Sequence, residues 1–499
     1  MWFASVFSLD AITVVLLGAL TIILLVYFNT GTKSHRVINL PPGPAPLPVI
    51  GNLHMLDLKK PHKSLMELSE KYGTVFSIKL GPTHVVVLTG YETVKDALIN
   101  HQDEFGERAR IPIFEAISAG HGIVFGHGES WKHMRRFTIS TLRDFGMGKK
   151  TIEDKIIEEI DYLIKMFDSY KGQPFNPTIK LSSAVANIIC SIVFGDRFDY
   201  EDEGFVNLVE CVNADMQRGG SPLVQLYNAF PFLGFLPGPH KKIFNNVRLT
   251  SEFFNSHFKE NRQKLDENDL RSFIDVFMFR QQQESDNPNS HFHYDNLLYT
   301  TRNLFVAGME TTSTTLRWGM LLMMKYPEIQ RKVHEEIIRV IGSERSPRAE
   351  DRKSMPYTDA VIHEIQRFGN IVPLNITHAT TVDLNFKGYF IPKDTQVIPL
   401  LASVLYDKTQ WEKPNYFNPS HFLDAEGKFV KRDAFIPFSI GRRACAGENL
   451  AKMELFLFFT TLIQKFKFQV PPNVSELELV SGVGLTSFPK YQDVCAVRR

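Results

Sequence analysis

The chain has 499 residues, of which 43% are hydrophobic and 22% charged, the proportions of a globular protein. With 56 basic against 55 acidic side chains its net charge is +1, so no global field draws it to nucleic acid and any basic patch has to be local. Cys190, Cys211, Cys445 and Cys495 form neither a CxxC nor a CxxCH spacing, which excludes the usual zinc, iron–sulfur and covalent c-type haem motifs and any disulfide framework, and fits a reducing, cytosol-facing location.

The first element is the uncharged run AITVVLLGALTIILLVYF from Ala11 to Phe28, whose 18 residues are just enough to cross a bilayer as a helix. Asp10 precedes it, and Lys33, His35 and Arg36 follow; the positive-inside rule then places the downstream chain in the cytosol. A cleaved signal peptide would carry its positive charge on the other side and end in a small-residue site, and neither is present. Residues 1–30 are therefore expected to be a membrane anchor. Residues 31–53 read as a basic and proline-rich hinge, in which Pro41, Pro42, Pro44, Pro46 and Pro48 make a stiff, extended connector. Residues 54–499 contain no long linker and no internal repeat and read as one large domain.

Helix-period apolar residues mark Leu65–Tyr72, Thr151–Phe167, Leu297–Tyr326, Ile329–Ile341, Thr358–Phe368 and Leu450–Phe466. Trp131 and Arg135 lie at i and i+4 on a further helix start. Strand-like runs are few and short: Val75–Leu80, Val85–Leu88, Leu384–Ile391 and Val397–Leu400, the later ones reading as hairpins punctuated by Gly388 and by Pro392–Asp394. The expected fold class is mainly α with a minor β-sheet. Gly120-His121-Gly122 with Gly126 has the wrong spacing for a dinucleotide loop, His334-Glu335-Glu336 lacks the second histidine of a zinc protease, and no GxxxxGK[ST] or GxSxG occurs.

Three segments carry chemistry. In the helix Leu297–Tyr326, Asn303, Ala307 and Thr311 share one face. Ala307 and Gly308 are small enough to admit a ligand close to the backbone, and the adjacent acid and alcohol, Glu310 and Thr311, are suited to proton delivery. A bland reading stands beside this one, in which the hydroxyl bonds back to its own helix. Further on, Glu364 and Arg367 lie at i and i+3 and can pair. Finally, Phe438-Ser-Ile-Gly441-Arg442-Arg443-Ala-Cys445-Ala-Gly447 precedes a helix. Cys445 there has glycines on both sides for a tight backbone turn, helix-start amides to stabilise a thiolate, and Arg443 to neutralise a carboxylate. Cys190, Cys211 and Cys495 lack such neighbours and read as small buried hydrophobes.

This last segment matches the F-x-x-G-x-R-x-C-x-G signature of the cytochrome P-450 superfamily at every fixed position. The resemblance implies a cytochrome P-450 fold, one large catalytic domain behind one N-terminal transmembrane helix, and haem b as cofactor. It assigns Cys445 as the axial thiolate, Phe438 as its packing neighbour and Arg443 as a haem-propionate partner. It makes Ala307, Glu310 and Thr311 part of the superfamily's A-G-x-[DE]-T motif, Glu310 and Thr311 taking the proton-delivery role. It adds Trp131, Arg135 and His378 as propionate contacts, and joins Glu364 and Arg367 to His421 of Pro419-Ser-His421-Phe422 as a structural triad in which many relatives carry Arg at the third place. Leu226–Pro231, Leu236–His240 and Met355–Ala360 resemble vertebrate microsomal family-two members, while Asp144–Lys149 and Phe435–Phe438 look closest to the fish-type subfamily K.

The resemblance implies a monooxygenase of the endoplasmic reticulum membrane. The chain has no flavin or nicotinamide motif, so NADPH acts only through a partner, NADPH–cytochrome P-450 reductase, with cytochrome b5 as a candidate second donor. Superfamily pocket positions fall on Ile111, Ile113, Phe114, Ile117, Leu304, Phe305, Val372, Leu374, Val483 and Leu485, an apolar set suited to fatty acids, steroids or xenobiotics. Two other haem-thiolate roles remain in view: an isomerase or dehydratase needing no external electrons, against which Glu310-Thr311 speaks, and a non-catalytic haem sensor.

Overall fold

The computed structural model describes residues 39–146, 150–491 and 493–499, together with Gly18. Apart from Gly18, the anchor run Ala11–Phe28 lies outside the described residues, as do the first part of the hinge and Met147–Lys149. Among the described residues no helix is long and apolar enough to cross a membrane.

Each helix marked by periodicity is present, and several begin earlier than their apolar pattern does. Leu65–Tyr72 becomes Pro61–Tyr72, Ile329–Ile341 becomes Pro327–Val340 and Thr358–Phe368 becomes Pro356–Gly369. In all three the first helical residue is a proline, whose missing N–H is no loss there. The helices that build the site are α1 (Pro112–Ser118), α2 (Gly128–Asp144), α3 (Thr178–Val193), α4 (Glu203–Gly219), α5 (Pro239–Gln263), α6 (Tyr294–Lys325), α7 (Pro356–Gly369) and α8 (Glu448–Lys465). Periodicity does not reveal α3, because nearly every residue from Leu181 to Val193 is buried and a helix apolar all round has no amphipathic stripe. It packs against α6, which is itself buried on all sides from Thr312 to Met324. They meet closely at Gly308, where a Cβ would fall 2.6 Å from Cδ1 of Ile189. The small residue at 308 therefore serves helix packing, and Ala307, which is exposed, is the one left facing open space.

The main sheet has β1 (Val75–Leu80), β2 (Thr83–Leu88), β3 (Glu107–Arg108), β4 (His378–Ala379) and β5 (Gln396–Pro399) in the spatial order β1-β2-β5-β4-β3. Leu384–Phe386 and Tyr389–Ile391 do form a hairpin around Gly388. The second expected hairpin does not form: β5 runs parallel to β2, with Val86 opposite Val397. Two-residue β3 pairs with β4 at the sheet edge, with Arg108 opposite His378. The described part of the hinge lies along β1, where Ser77 donates to the carbonyls of Pro41 and Pro42 and Asn52 Oδ1 accepts from the Lys79 amide at 2.8 Å; from Pro41 on it is docked on the sheet.

Candidate active site

Cys445 sits in a tight loop between the sheet edge and α8. Its amide donates to the Phe438 carbonyl at 3.0 Å and that of Ala444 to Gly441 at 3.1 Å. Gly441 has φ +79°, and a Cβ there would lie 1.9 Å from the Leu98 carbonyl, so only glycine closes the turn. At Gly447 a Cβ would meet nothing within 4 Å; the absent side chain leaves room beside the thiol. Cys445 is exposed to small molecules while neighbouring Arg443 and Leu450 are buried. Burial nevertheless pushes its pKa up, against the Gly447 amide and Arg135, which pull it down. An accessible yet desolvated thiol faces an internal hollow and not the outer surface.

Beside the thiol loop lies a knot of guanidinium groups. Arg443 stacks over the Trp131 ring at 3.4 Å and donates to Gly106 O at 2.9 Å, Gly126 O at 3.0 Å and Glu107 Oε1 at 2.9 Å. Arg108, buried on β3, donates to Val124 O, Ile376 O and Arg443 O at 3.3, 2.7 and 3.4 Å. Arg135 donates to Ala444 O at 2.5 Å. Burial, and then the neighbouring guanidinium groups, depress Arg443 and Arg108 well below the ordinary arginine value. Glu107 is the carboxylate facing them and is held down at about 2, since hydrogen bonds from His127 and Arg108 together with the Arg443 charge outweigh its burial. His378 turns Nδ1 to the Phe105 carbonyl at 2.7 Å, and its buried Nε2 has no partner.

Three guanidinium groups thus cluster here, of which only Arg443 binds the Glu107 carboxylate while Arg108 and Arg135 donate to backbone carbonyls, beside an orphaned imidazole nitrogen. Buried cations in excess call for anions, and the deficit matches a dianion carrying two carboxylates next to a thiolate ligand. Haem b is such a group, and these residues fit it. The structure brings Arg135, Arg443 and His378, expected together from the sequence, into one neighbourhood. The Trp131 indole N–H donates to Ile123 O at 3.2 Å and its face carries Arg443, so it also braces the cluster. Arg108 and Glu107 were missed, because a two-residue strand carries no periodic signal.

On α6, Asn303 Oδ1 accepts from the Ile123 and Val124 amides, both at 3.0 Å, tying the helix to the segment beside Trp131. The Thr311 hydroxyl donates to Ala307 O at 2.8 Å, the back-bond that was the bland expectation; its oxygen can still accept from the exposed side. Glu310 turns elsewhere. Its Oε1 accepts from Thr314 at 3.0 Å and Thr486 at 2.7 Å with Arg317 3.7 Å away, and its Oε2 has no partner. Burial raises its pKa, which suits a proton-holding group, and no hydrogen bond joins it to Thr311.

The triad is complete. Both oxygens of Glu364 take Arg367 at 2.7 Å, and His421 reaches Glu364 Oε2 at 3.1 Å and Glu412 O at 2.5 Å. With acceptors facing both ring nitrogens, His421 fills the third place of the triad, where many relatives carry arginine.

Of the pocket positions, Ile111, Ile113, Phe114 and Ile117 gather in one apolar cluster with Val224 and Ile243. Phe114 stacks on Phe125 at 3.9 Å. Leu485 abuts Gly219 at the end of α4, close to Val483, and Leu304 is partly buried against the core containing α6. Leu374 joins the separate cluster under the sheet, next to half-buried Val372. Phe305 is fully buried against Phe254 and is a core residue.

A sequence profile described as Cytochrome P450 matches residues 41–496. Among curated proteins, "Cytochrome P450 2K1" of Oncorhynchus mykiss is 50% identical over 492 residues, covering 98% of this chain and 97% of its own. "Cytochrome P450 2K6" of Danio rerio is 51% identical over 464 residues, 91% of this chain and 90% of its own. "Cytochrome P450 2A13" of Homo sapiens is 47% identical over 479 residues, 96% and 97% respectively. With the thiol loop, the cation cluster and the triad in place, the chain belongs to the cytochrome P450 family, whose family-two members it matches along nearly its whole length, and that membership implies a haem-thiolate monooxygenase.

Proposed function

We propose that the protein inserts one oxygen atom from O2 into lipophilic substrates (fatty acids, steroids or xenobiotics) at the endoplasmic reticulum membrane, drawing NADPH-derived electrons from NADPH–cytochrome P-450 reductase, with cytochrome b5 as a candidate second donor. The observation that carries this reading is Cys445, an accessible thiol in a desolvated hollow beside a cation cluster short of anions. Bound haem with thiolate ligation would supply the O–O cleavage and oxygen transfer. Cys445 would hold its iron, and Arg108, Arg135, Arg443 and His378 would hold its carboxylates. Thr311 holds a proton at its Oγ on the exposed face of α6, with Glu310 as the buried acid behind it. The apolar cluster on α1 orients the substrate and keeps water away. Residues 1–30 anchor the domain, and the segment docked on β1 fixes its angle to the bilayer.

In a reconstituted system with reductase and NADPH, hydroxylated products should appear from lipophilic substrates. The ferrous–CO complex should show the red-shifted band of thiolate ligation. Cys445→Ser should abolish that band, and Cys190→Ala should not. A Cys445→Ser spectrum equal to the parent's removes Cys445 from the site. Turnover of peroxides alone, with no response to reductase, favours the isomerase class.

A further inference from the structure

We infer that His127 is a positioning residue for the substrate wall: as an imidazolium it clamps α1 to the carboxylate end of the haem site, and the clamp weakens as pH rises. The link to substrate rests on the proposed reading of α1 as a wall of the pocket.

His127 stands just before α2, with Nδ1 3.1 Å from Glu107 Oε1 and Nε2 2.8 Å from Glu115 Oε1. An ionised carboxylate only accepts, and a neutral imidazole has one N–H. Two carboxylates on two ring nitrogens therefore require both protons and a positive ring. Its place is fixed by the backbone: the His127 amide donates to Gly120 O at 3.2 Å, and a Cβ at Gly120, where φ is +77°, would lie 2.6 Å from the ring's Cδ2. Glycine at 120 is what lets the ring sit against the end of the α1 segment.

The two carboxylates belong to different parts of the site. Glu107 is on β3; the same oxygen that meets His127 also accepts from Arg443 and from the Arg108 amide, and the other oxygen accepts from the Gly128 amide. Glu115 is on α1, one residue from Phe114 and two from Ile113 and Ile117, and its second oxygen takes the exposed Arg110 at 3.2 Å. A chain of charge-assisted bonds thus runs from Arg443 through Glu107, His127 and Glu115 to Arg110. It matters because α1 is a helix of 7 residues, too short to hold itself. Another polar tie on it is the Ile113 amide, which donates to Asn228 Oδ1 at 3.1 Å.

The direction of the pH effect follows from the facing charges. Glu107 and Glu115 raise the His127 pKa above 6.5, burial and Arg110 oppose them, and the net shift is upward. A group raised in the folded state stabilises fully below its unfolded pKa and loses that contribution as pH rises through the folded one. The clamp is therefore closed below about pH 6.5 and opens as pH rises through the raised value above it.

The experiment uses the holoenzyme and no turnover. Hydrogen exchange at the amides of residues 113–118 is followed from about pH 6.5 to about pH 9, after correction for intrinsic exchange. In parallel, association rates of n-hexyl isocyanide and of CO with the ferrous enzyme are measured; both are neutral ligands, and only the first carries a tail that must pass α1. Protection of α1 should fall and the isocyanide rate rise by about tenfold across that range, with little change for CO. His127→Gln should behave at every pH as the parent does at the alkaline end, and His127→Arg, a permanent cation, as the parent does at the acid end. Glu115→Gln, which keeps the ring and removes one anchor, should behave like His127→Gln. Protection of α1 that ignores pH and all three variants overturns the clamp. Protection that responds while the isocyanide rate does not would leave the clamp standing and remove α1 from the substrate wall.

Discussion

Arg367 and Arg443 are both buried guanidinium groups beside a glutamate, and their surroundings differ. Arg367 and Glu364 are each 0% exposed, pair through both carboxylate oxygens, and have every remaining valence met: Leu405, Pro414 and Tyr416 carbonyls accept from Arg367, while His421 and the Asn418 amide donate to Glu364. Arg443 shares one glutamate with Arg108 and His127, repels Arg108 and Arg135, and lies near an imidazole nitrogen that bonds to nothing. Buried charge is tolerated only when compensated. The first cluster completes itself within the protein, as a structural clamp does; the second is left short of acceptors, as the proposed receptor for the haem carboxylates would be. Composition does not separate them, for both are arginine, glutamate and histidine. What separates them is the count of acceptors within reach.

This contrast can be broken most sharply at the self-sufficient cluster. Arg367→Leu takes the guanidinium from the buried Glu364 carboxyl and leaves only the His421 ring and the Asn418 amide as its partners, a defect that costs about 3–5 kcal/mol. Against a total stability of about 5–15 kcal/mol, the variant should accumulate as poorly folded protein with low haem content, and chemical denaturation of what survives should give a greatly lowered midpoint. A midpoint within experimental error of the parent's would show that the triad is not a structural clamp.

The same contrast bears on what could be read beforehand. Glu364 and Arg367 were legible because a helix brings i and i+3 together, so that local spacing is also spatial contact. The thiol loop was legible because its glycines, arginine and cysteine act within ten residues of chain. Of the second cluster, Arg135, Arg443 and His378 were legible only through the family resemblance and Arg108 and Glu107 not at all, since its parts converge through the sheet edge: Phe105 and His378 meet across 273 positions, and β3 is too short to show alternation. Parallel pairing of β5 with β2 was hidden for the same reason, the two strands being brought together by everything folded between them. The helix α3 escaped because full burial erases periodicity. Gly308 was misread because a helix glycine that admits a ligand and one that admits another helix look alike in sequence.

A third buried charge sharpens the rule that counting partners predicts state. Glu454 on α8 accepts from the Thr312 hydroxyl at 3.1 Å, its other oxygen has no partner, and no salt bridge reaches it. Its pKa is pushed up to about 8 by burial. The folded protein then keeps a proton that the unfolded chain releases above about pH 4.3, so stability should decline as pH rises from there to about 8 and level off beyond, at no more than about 1.4 kcal/mol per unit. Glu454→Gln holds the neutral shape and should flatten that slope. Parallel slopes for parent and variant in a denaturation series across this range would mean that the carboxyl is ionised in the fold.

The smallest effect on the protein alone should come from Arg135, and it is the one that tells receptor from clamp. Arg135 is half-buried, makes one hydrogen bond to Ala444 O, lies 5.9 Å from the Trp131 ring centre and adds repulsion to Arg443. Arg135→Gln gives up that bond and relieves that repulsion. A hydrogen bond is worth about 1 kcal/mol net, and the relief offsets part of it, so the haem-free protein should change in stability by less than about 1 kcal/mol. The holoprotein should not be so indifferent, because the removed charge is one that the haem carboxylates need. Haem transfer from the variant to apomyoglobin should be several-fold faster than from the parent, with the ferrous–CO band still in the thiolate position because Cys445 is untouched. The two measurements have to diverge for the cluster to be a receptor. If Arg135→Gln lowers apoprotein stability as Arg367→Leu does while haem transfer stays at the parent's rate, the cations around Trp131 belong to the fold in the same way as the triad, and the carboxylates are held by other groups.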